Sequence, residues 1–90
     1  MTSSATQATL TVSVRLFARY AEVVGVERLE LALSTGATVA DLLATLRTQV
    51  PGFAQLPARL LCAVNHAHVL PSQTLRDGDE VAILPPLAGG

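Results

Sequence analysis

The segment TVADLLATLRTQV, residues 38–50, predicts the helix around which the fold is organised. Thr38 followed three positions later by Asp41 is a capping pattern that starts a helix, and Pro51-Gly52 ends it. The apolar residues between these signals form one stripe at helical spacing: Val39, Leu42, Leu43, Leu46 and Val50. Burying four such side chains contributes on the order of 6–12 kcal/mol before entropy is counted. We therefore expect this helix to lie across a sheet and to supply much of its core.

Alternating sequences before this helix predict the first part of the sheet. In residues 9–17 apolar and polar residues alternate, which predicts a half-buried strand. Phe17 is the one apolar residue on the polar face of that strand. Residues 18–24 favour a short helix that Gly25 ends. Residues 27–33 alternate again and predict a second strand, paired with the first as in a hairpin.

The residues after the main helix predict three more strands. Residues 53–59 and 71–75 are expected to be irregular, and Asn65-His66 and Asp77-Gly78-Asp79 to form turns. The three strands cover residues 60–64, 67–70 and 80–84. The last of these is the most apolar, so it is expected in the interior of the sheet. A sheet packed on one face by one principal helix is a two-layer α+β domain.

The chain ends on a tail of unusual composition. Pro85 and Pro86 remove two backbone donors and fix φ, so the last strand cannot pass through them. Gly89 and Gly90 leave bare backbone and a carboxylate, which could enter a channel too narrow for any other residue pair. Since Gly is roughly 7% of residues, such a pair ends about one chain in 200 by chance, and an incidental ending stays an open alternative. The expected organisation is a disordered extension over 1–8, a domain over 9–84 and an extended tail over 85–90.

Composition excludes several classes of function. A formal charge of −1 offers no basic stripe for nucleic acid, and three aromatic residues offer no base-stacking platform. No apolar run approaches the roughly 18 residues of a membrane span, and no signal sequence is recognisable. The single cysteine cannot form an internal disulfide, which suits a reducing compartment. We expect a cytoplasmic protein without nucleic-acid or membrane partners.

The reactive side chains do not predict a catalytic or metal site. Cys62 lies in an apolar strand without a nearby basic residue, so an inert core position is expected. His66 and His68 would share one face of a strand. Zinc, however, takes three or four protein ligands, and no other Cys or His completes the set. No metal is expected, and His68 is a candidate partner contact instead.

Phe17 and Leu84 are apolar residues on the faces of their half-buried strands that are expected to point away from the core. If they lie near the exit of the tail, they form a candidate interface patch, although scattered apolar exposure is equally common. The acidic turn Asp77-Gly78-Asp79-Glu80 is interpreted as solvated, with docking to a basic partner as the alternative. The six arginines do not cluster in sequence and are interpreted as solubilising.

Several segments resemble the MoaD/ThiS family of ubiquitin-like sulfur carriers, and in particular the small subunits of molybdopterin synthase. They are VRLFARYAEVVG (14–25), AVN (63–65), LRDGDEVA (75–82) and PPLAGG (85–90), and the resemblance spans residues 9–90. It implies a β-grasp fold with a mixed sheet of about five strands packed against one main helix.

The resemblance also implies a sulfur-carrier function. By position, Gly90 would be adenylated by a MoeB-like enzyme that consumes ATP, and a sulfur donor protein would then convert it to a thiocarboxylate. A MoaE-like large subunit would receive the tail, and cyclic pyranopterin monophosphate would take the sulfur to form the molybdopterin dithiolene. The complex would contain two small and two large subunits, and the carrier would bind no cofactor itself. The expected partner-binding residues, taken from the tail and the sheet, are Gly89, Ala88, Leu87, Pro86, Pro85, Leu84, Phe17 and His68.

This chemistry needs no catalytic side chain in the carrier. A carboxylate is a poor electrophile, whereas its mixed anhydride with AMP has a good leaving group that a sulfur nucleophile can displace. The chain is therefore expected to be a non-catalytic subunit of a sulfurtransferase complex. The alternatives are a carrier for thiazole, cysteine or tRNA thiolation, and a non-covalent ubiquitin-like binding module. A free-standing cysteine enzyme fails because Cys62 has no base, and residues 17–25 argue against the shorter thiazole carrier.

Overall fold

The computed structural model describes residues 9–85, so the predicted extension over 1–8 and the tail residues 86–90 lie outside the described part. Neither α-helix within 9–85 has the length and apolar character needed to cross a membrane. In chain order the elements are β1 (Thr9–Leu16), α1 (Ala18–Val24), β2 (Arg28–Ser34), α2 (Val39–Gln49), a 3-10 turn (Phe53–Gln55), β3 (Leu61–Val64), β4 (Ala67–Val69) and β5 (Glu80–Leu84).

The five strands form one mixed sheet in the order β2-β1-β5-β3-β4. β5 runs parallel to β1 and antiparallel to β3, whereas β1–β2 and β3–β4 are antiparallel pairs. The predicted hairpin of the first two strands and the interior position of the last strand are therefore confirmed. Val81 and Ile83 of β5 are fully buried, as expected for a central strand.

Helix α2 begins with the predicted capping box. Thr38 Oγ1 accepts a hydrogen bond of 3.2 Å from the backbone N–H of Asp41, and the backbone N–H of Thr38 donates one of 2.9 Å to Asp41 Oδ2. These bonds satisfy donors that the first turn of a helix leaves without partners. The predicted stripe faces the core, with Val39, Leu42 and Leu46 buried, and Leu43 and Val50 packed against them.

Two segments predicted as irregular supply core residues. Phe53, in the 3-10 turn, is fully buried, and Leu75 is 2% exposed. Gly52 enters that turn with φ 92°, and a Cβ there would lie 3.1 Å from the carbonyl oxygen of Val23. Isolated apolar residues between glycines and prolines have no periodicity, so the sequence pattern could not mark them as core.

Candidate partner-binding face at the base of the tail

The sheet has one face covered by the helices and one open face. Along β1 the buried residues alternate with exposed or partly buried ones, and β5 alternates in the same way. The second set of side chains forms the open face. Since the register of the strands is known, the residues of this face can be placed in rows that cross the sheet.

The row nearest the tail is apolar. Phe17 and Leu84 line the same depression, and Leu84 is paired with Leu61 across β5 and β3. Leu70 directly follows β4. Extending the register of β3 and β4 by one residue beyond the Cys62–Val69 pair places Leu70 opposite Leu61. Leu61 and Leu70 are 49% and 73% exposed, so this apolar row (Phe17, Leu84, Leu61, Leu70) includes two of the large hydrophobic residues most exposed within residues 9–85. The structure thus brings Phe17 and Leu84 together, and their role in partner binding stays a prediction.

The next row carries positive charge at its β2 end. Arg28 is opposite Arg15, which is opposite Ala82. The guanidinium of Arg15 lies 3.4 Å from Glu80 Oε2 and 5.2 Å from the centroid of the Phe17 ring, and that of Arg28 lies 3.8 Å from the same carboxylate oxygen. The side chains of Arg15 and Arg28 are 44% and 65% exposed, so these surface contacts are compatible with the predicted solubilising role. Glu80, the carboxylate that both guanidiniums approach, lies in a distant part of the chain, so spacing in sequence could not reveal this contact.

The two histidines come from different parts of a hairpin. His66 lies in the turn with φ 76°, next to Asn65 with φ 51°, whereas His68 lies on β4 opposite Ala63. Both nevertheless line the depression beside Leu84. Within residues 9–85 no group of three metal-binding side chains is found. The candidate role of His68 in partner binding stays a prediction.

Cys62 points into the covered side of the sheet and is 4% exposed. Burial raises the pKa of its thiol from 9.0 to about 11. A thiol with that pKa is almost entirely protonated near neutral pH, and the protonated form is a poor nucleophile. The structure therefore places Cys62 in the core, as the sequence predicted.

The acidic turn before β5 holds the backbone, while Asp77 and Gly78 stay exposed as expected of a solvated turn. Asp77 Oδ1 accepts a hydrogen bond of 2.8 Å from the backbone N–H of Thr11, and Asp79 Oδ2 accepts one of 2.8 Å from that of Arg76. These bonds fix the start of β5 against β1. Because β5 runs into Pro85, they also fix the place where the tail leaves the sheet.

The tail itself begins beside helix α1. Pro85 is partly buried and lines a groove together with Tyr20, Leu56 and Pro57. The predicted site residues Pro86, Leu87, Ala88, Gly89 and Gly90 lie outside the described residues. The chemistry predicted for Gly90 therefore stays a prediction.

Comparisons with known proteins agree with this architecture. A molybdopterin synthase sulfur carrier subunit from Chlamydomonas reinhardtii is 40% identical over 81 residues, covering 88% of this chain and 98% of that protein. A solved structure of molybdopterin converting factor, subunit 1, from Pyrococcus furiosus is 31% identical with a TM-score of 0.78, covering 87% of this chain and 99% of that one.

The fold is also similar to that of ubiquitin. A ubiquitin from Caldiarchaeum subterraneum superimposes with a TM-score of 0.63 at 17% identity, covering 92% of this chain and all of that one. This likeness confirms the predicted β-grasp fold. The sequence profile described as the ThiS family matches residues 14–90, which includes the last strand and the two terminal glycines. Because this match spans most of the chain, and the Chlamydomonas relative matches over almost its full length, the chain belongs to the ThiS family.

Proposed function

We propose that this protein is the sulfur carrier subunit of a molybdopterin synthase. The observation that carries the proposal is the 40% identity to the molybdopterin synthase sulfur carrier subunit of Chlamydomonas reinhardtii. The match covers 98% of that protein. The family match supports it, because that match continues through Gly90. Identity at this level over a whole small domain is much more specific than the fold, which many unrelated functions share.

In this proposal the reactive group is the carboxylate of Gly90. An adenylating enzyme similar to MoeB joins it to AMP from ATP and releases pyrophosphate. A persulfide of a donor protein then displaces AMP to form an acyl disulfide. A thiol attacks the donor sulfur of that disulfide, which releases the thiocarboxylate and leaves a disulfide on the donor side. In the large subunit this sulfur is transferred to cyclic pyranopterin monophosphate, and a second loaded carrier supplies the second sulfur of the dithiolene. Water returns each carrier to a carboxylate for another cycle.

The body of the carrier would then serve to present the tail and to bind its partners. Cys62 is buried with a raised pKa, and the acidic turn is engaged in backbone hydrogen bonds, so neither competes for the chemistry. The apolar row at the base of the tail offers a surface that a large subunit could cover. We place this assembly, with two small and two large subunits, in the cytoplasm.

Reconstitution tests the destination of the sulfur. The chain carrying a C-terminal thiocarboxylate is mixed with the large subunit from the same organism and with cyclic pyranopterin monophosphate. We expect the dithiolene product to form and the thiocarboxylate to return to a carboxylate. Loss of sulfur to a thiazole, cysteine or tRNA acceptor, with no dithiolene from the pyranopterin, would assign the carrier to another pathway.

A further inference from the structure

A second surface adjoins the start of the tail, on the side of the sheet that carries the helices. It is a groove between helix α1 and the loop that follows the 3-10 turn, with a volume of about 440 Å³. We call it the α1 groove. Its apolar lining consists of Tyr20 and Val23 of α1, Leu56 and Pro57 of the loop, and Pro85. The groove therefore begins at the last described residue before the tail.

Both walls of the α1 groove are held by contacts within the domain. The guanidinium of Arg47 donates hydrogen bonds of 3.5, 2.7 and 3.3 Å to three successive carbonyl oxygens of the loop. These oxygens belong to Leu56, Pro57 and Ala58. On the other wall Tyr20 is 5% exposed and belongs to the core cluster. The groove is thus formed before anything enters it, which lowers the ordering cost of an occupant.

The chain itself carries an apolar side chain within reach of this groove. Five residues follow Pro85 in sequence, and among them Leu87 has the one large aliphatic side chain. Two residues span at most about 7 Å, so the Cα atom of Leu87 lies within that distance of the Cα atom of Pro85. Because Pro85 precedes another proline, its backbone is restricted to extended conformations, which narrows the directions in which Leu87 can be placed. A side chain tethered so closely has a high effective concentration at the groove.

A positive charge at the rim favours the same occupant. Arg19 lines the α1 groove and is exposed. The ion pairs formed among residues 9–85 involve Arg15 and Arg28, so Arg19 has no carboxylate partner in that range. The carboxylate of Gly90 is three residues beyond Leu87 and therefore within about 11 Å of it, which is close to the Debye length at 0.1 M salt. Arg19 consequently attracts the charged end of the tail toward the groove.

We propose that Leu87 of the chain's own tail docks in the α1 groove when no partner holds the tail. Docking buries the apolar surface of Leu87 but orders about two residues, and these effects are similar in size and opposite in sign, so roughly half of the molecules are docked. Leu87 cannot occupy the groove and a partner's channel at the same time. The groove is then a resting site that competes with the adenylating enzyme for the tail. This competition rests on the proposed function, whereas the docking itself does not.

Nuclear Overhauser effects between the Leu87 methyl groups and the Tyr20 ring test the docking in the isolated, unloaded full chain. Tyr20 is the single tyrosine, so its ring signals are assigned without ambiguity. We expect these effects to be present and their relative intensity to be independent of protein concentration. Their absence would overturn the proposal. An intensity that rises with concentration would overturn it as well, because the tail of a second copy would then be the occupant.

Two neighbouring valines of helix α1 provide matched variants. Val23 and Val24 are both partly buried against the core, and of the two Val23 lines the α1 groove. Thermal unfolding checks that Val23→Ser and Val24→Ser are folded. We expect Val23→Ser to weaken the Leu87–Tyr20 effects about twofold, because part of the apolar wall is lost, and Val24→Ser to leave them unchanged. Equal intensities in the two folded variants would overturn the proposal.

The kinetics of sulfur loading test the competition. A resting site lowers the apparent affinity for the adenylating enzyme by the fraction of chains whose tail is free. We therefore expect the KM for the chain to fall about 1.5-fold to twofold in Val23→Ser and not in Val24→Ser. Equal KM values in the two variants would overturn the role of the groove as a resting site.

The two measurements separate this inference from the proposed function. If the Leu87–Tyr20 effects are present but the unchanged chain is not loaded with sulfur, the docking stands and the proposed function fails. If the chain is loaded with sulfur but the effects are absent, the proposed function stands and the docking is wrong.

Discussion

The side-chain amide of Asn65 donates a hydrogen bond of 2.9 Å to Asp79 Oδ1, and its oxygen accepts one of 2.9 Å from the backbone N–H of Glu80. Asn65 lies in the turn between β3 and β4, whereas Glu80 begins β5. One side chain therefore ties the hairpin to the start of the strand that leads into the tail. The backbone N–H of Asn65 adds a third bond, of 2.8 Å, to the carbonyl oxygen of Glu80.

Replacing this side chain should destabilise the domain. Asn65→Ala removes two hydrogen bonds and puts alanine at φ 51°, which asparagine tolerates better. We expect the free energy of unfolding to fall by about 1–3 kcal/mol in urea titrations. Gln73→Ala is the control, because the Gln73 side chain bonds only its neighbour's carbonyl oxygen within the described residues. It should change stability by less than about 0.5 kcal/mol, and an equal loss in both variants would contradict the role of Asn65.

Ala18 should be a site where glycine stabilises the protein. It begins helix α1 with φ 49°, a left-handed conformation that costs a side-chain-bearing residue roughly 1–2 kcal/mol. Ala18→Gly relieves this cost, partly offset by the greater freedom of glycine in the unfolded chain. We expect a gain of about 0.5–1 kcal/mol. Ala44→Gly, at an exposed position inside α2, should instead lose about 1 kcal/mol, and a loss in both variants would disprove the strain.

Burial of the Cys62 thiol should appear in the pH dependence of stability. The pKa of this thiol is raised to about 11 in the folded state, from 9.0 without burial. Above pH 9 the unfolded chain therefore loses the proton while the folded chain keeps it, which favours unfolding. The stability contributed by the protonated thiol is present below pH 9 and is lost as pH rises toward 11. Stability should fall more steeply over this window in the unchanged protein than in Cys62→Ala, and parallel curves would exclude the effect.

Truncating the apolar row should weaken partner binding more than folding. Leu61 is 49% exposed, so Leu61→Ser costs the isolated chain less stability than truncating a fully buried leucine would. We expect the Kd for the large subunit to rise about tenfold, because a few well-buried side chains near the centre of an interface carry most of its binding energy. Val26→Ser is the control, because Val26 is also an exposed apolar residue, at 39%, but lies outside the row. Isothermal titration of both variants provides the test, and a normal affinity of Leu61→Ser would show that the row is not covered.

Sequence patterns predicted the elements whose signals are local. The Thr38 and Asp41 cap and the stripe of α2 depend on residues within a few positions of one another, and the structure confirms them. The apolar row and the row beside it that carries Arg15 depend on the pairing of Leu84 with Leu61 and of Arg15 with Ala82, which bring distant segments together. Phe17 was recognisable because it breaks the alternation of its strand, and Leu84 because a large apolar residue occupies the face of its strand opposite Val81 and Ile83. Leu61 and Arg15 gave no such signal, because their roles depend on strand order.

The central claim is that the carboxylate of Gly90 accepts the sulfur and becomes a thiocarboxylate. The intact mass of the chain tests this claim most directly. The full chain and a variant lacking Gly90 are each incubated with ATP, the adenylating enzyme and a sulfur donor. We predict that the full chain gains the mass difference of one sulfur in place of one oxygen, while the shortened chain, with an unchanged melting temperature, does not. An unmodified full chain, or equal sulfur loading of the shortened chain, would contradict the account.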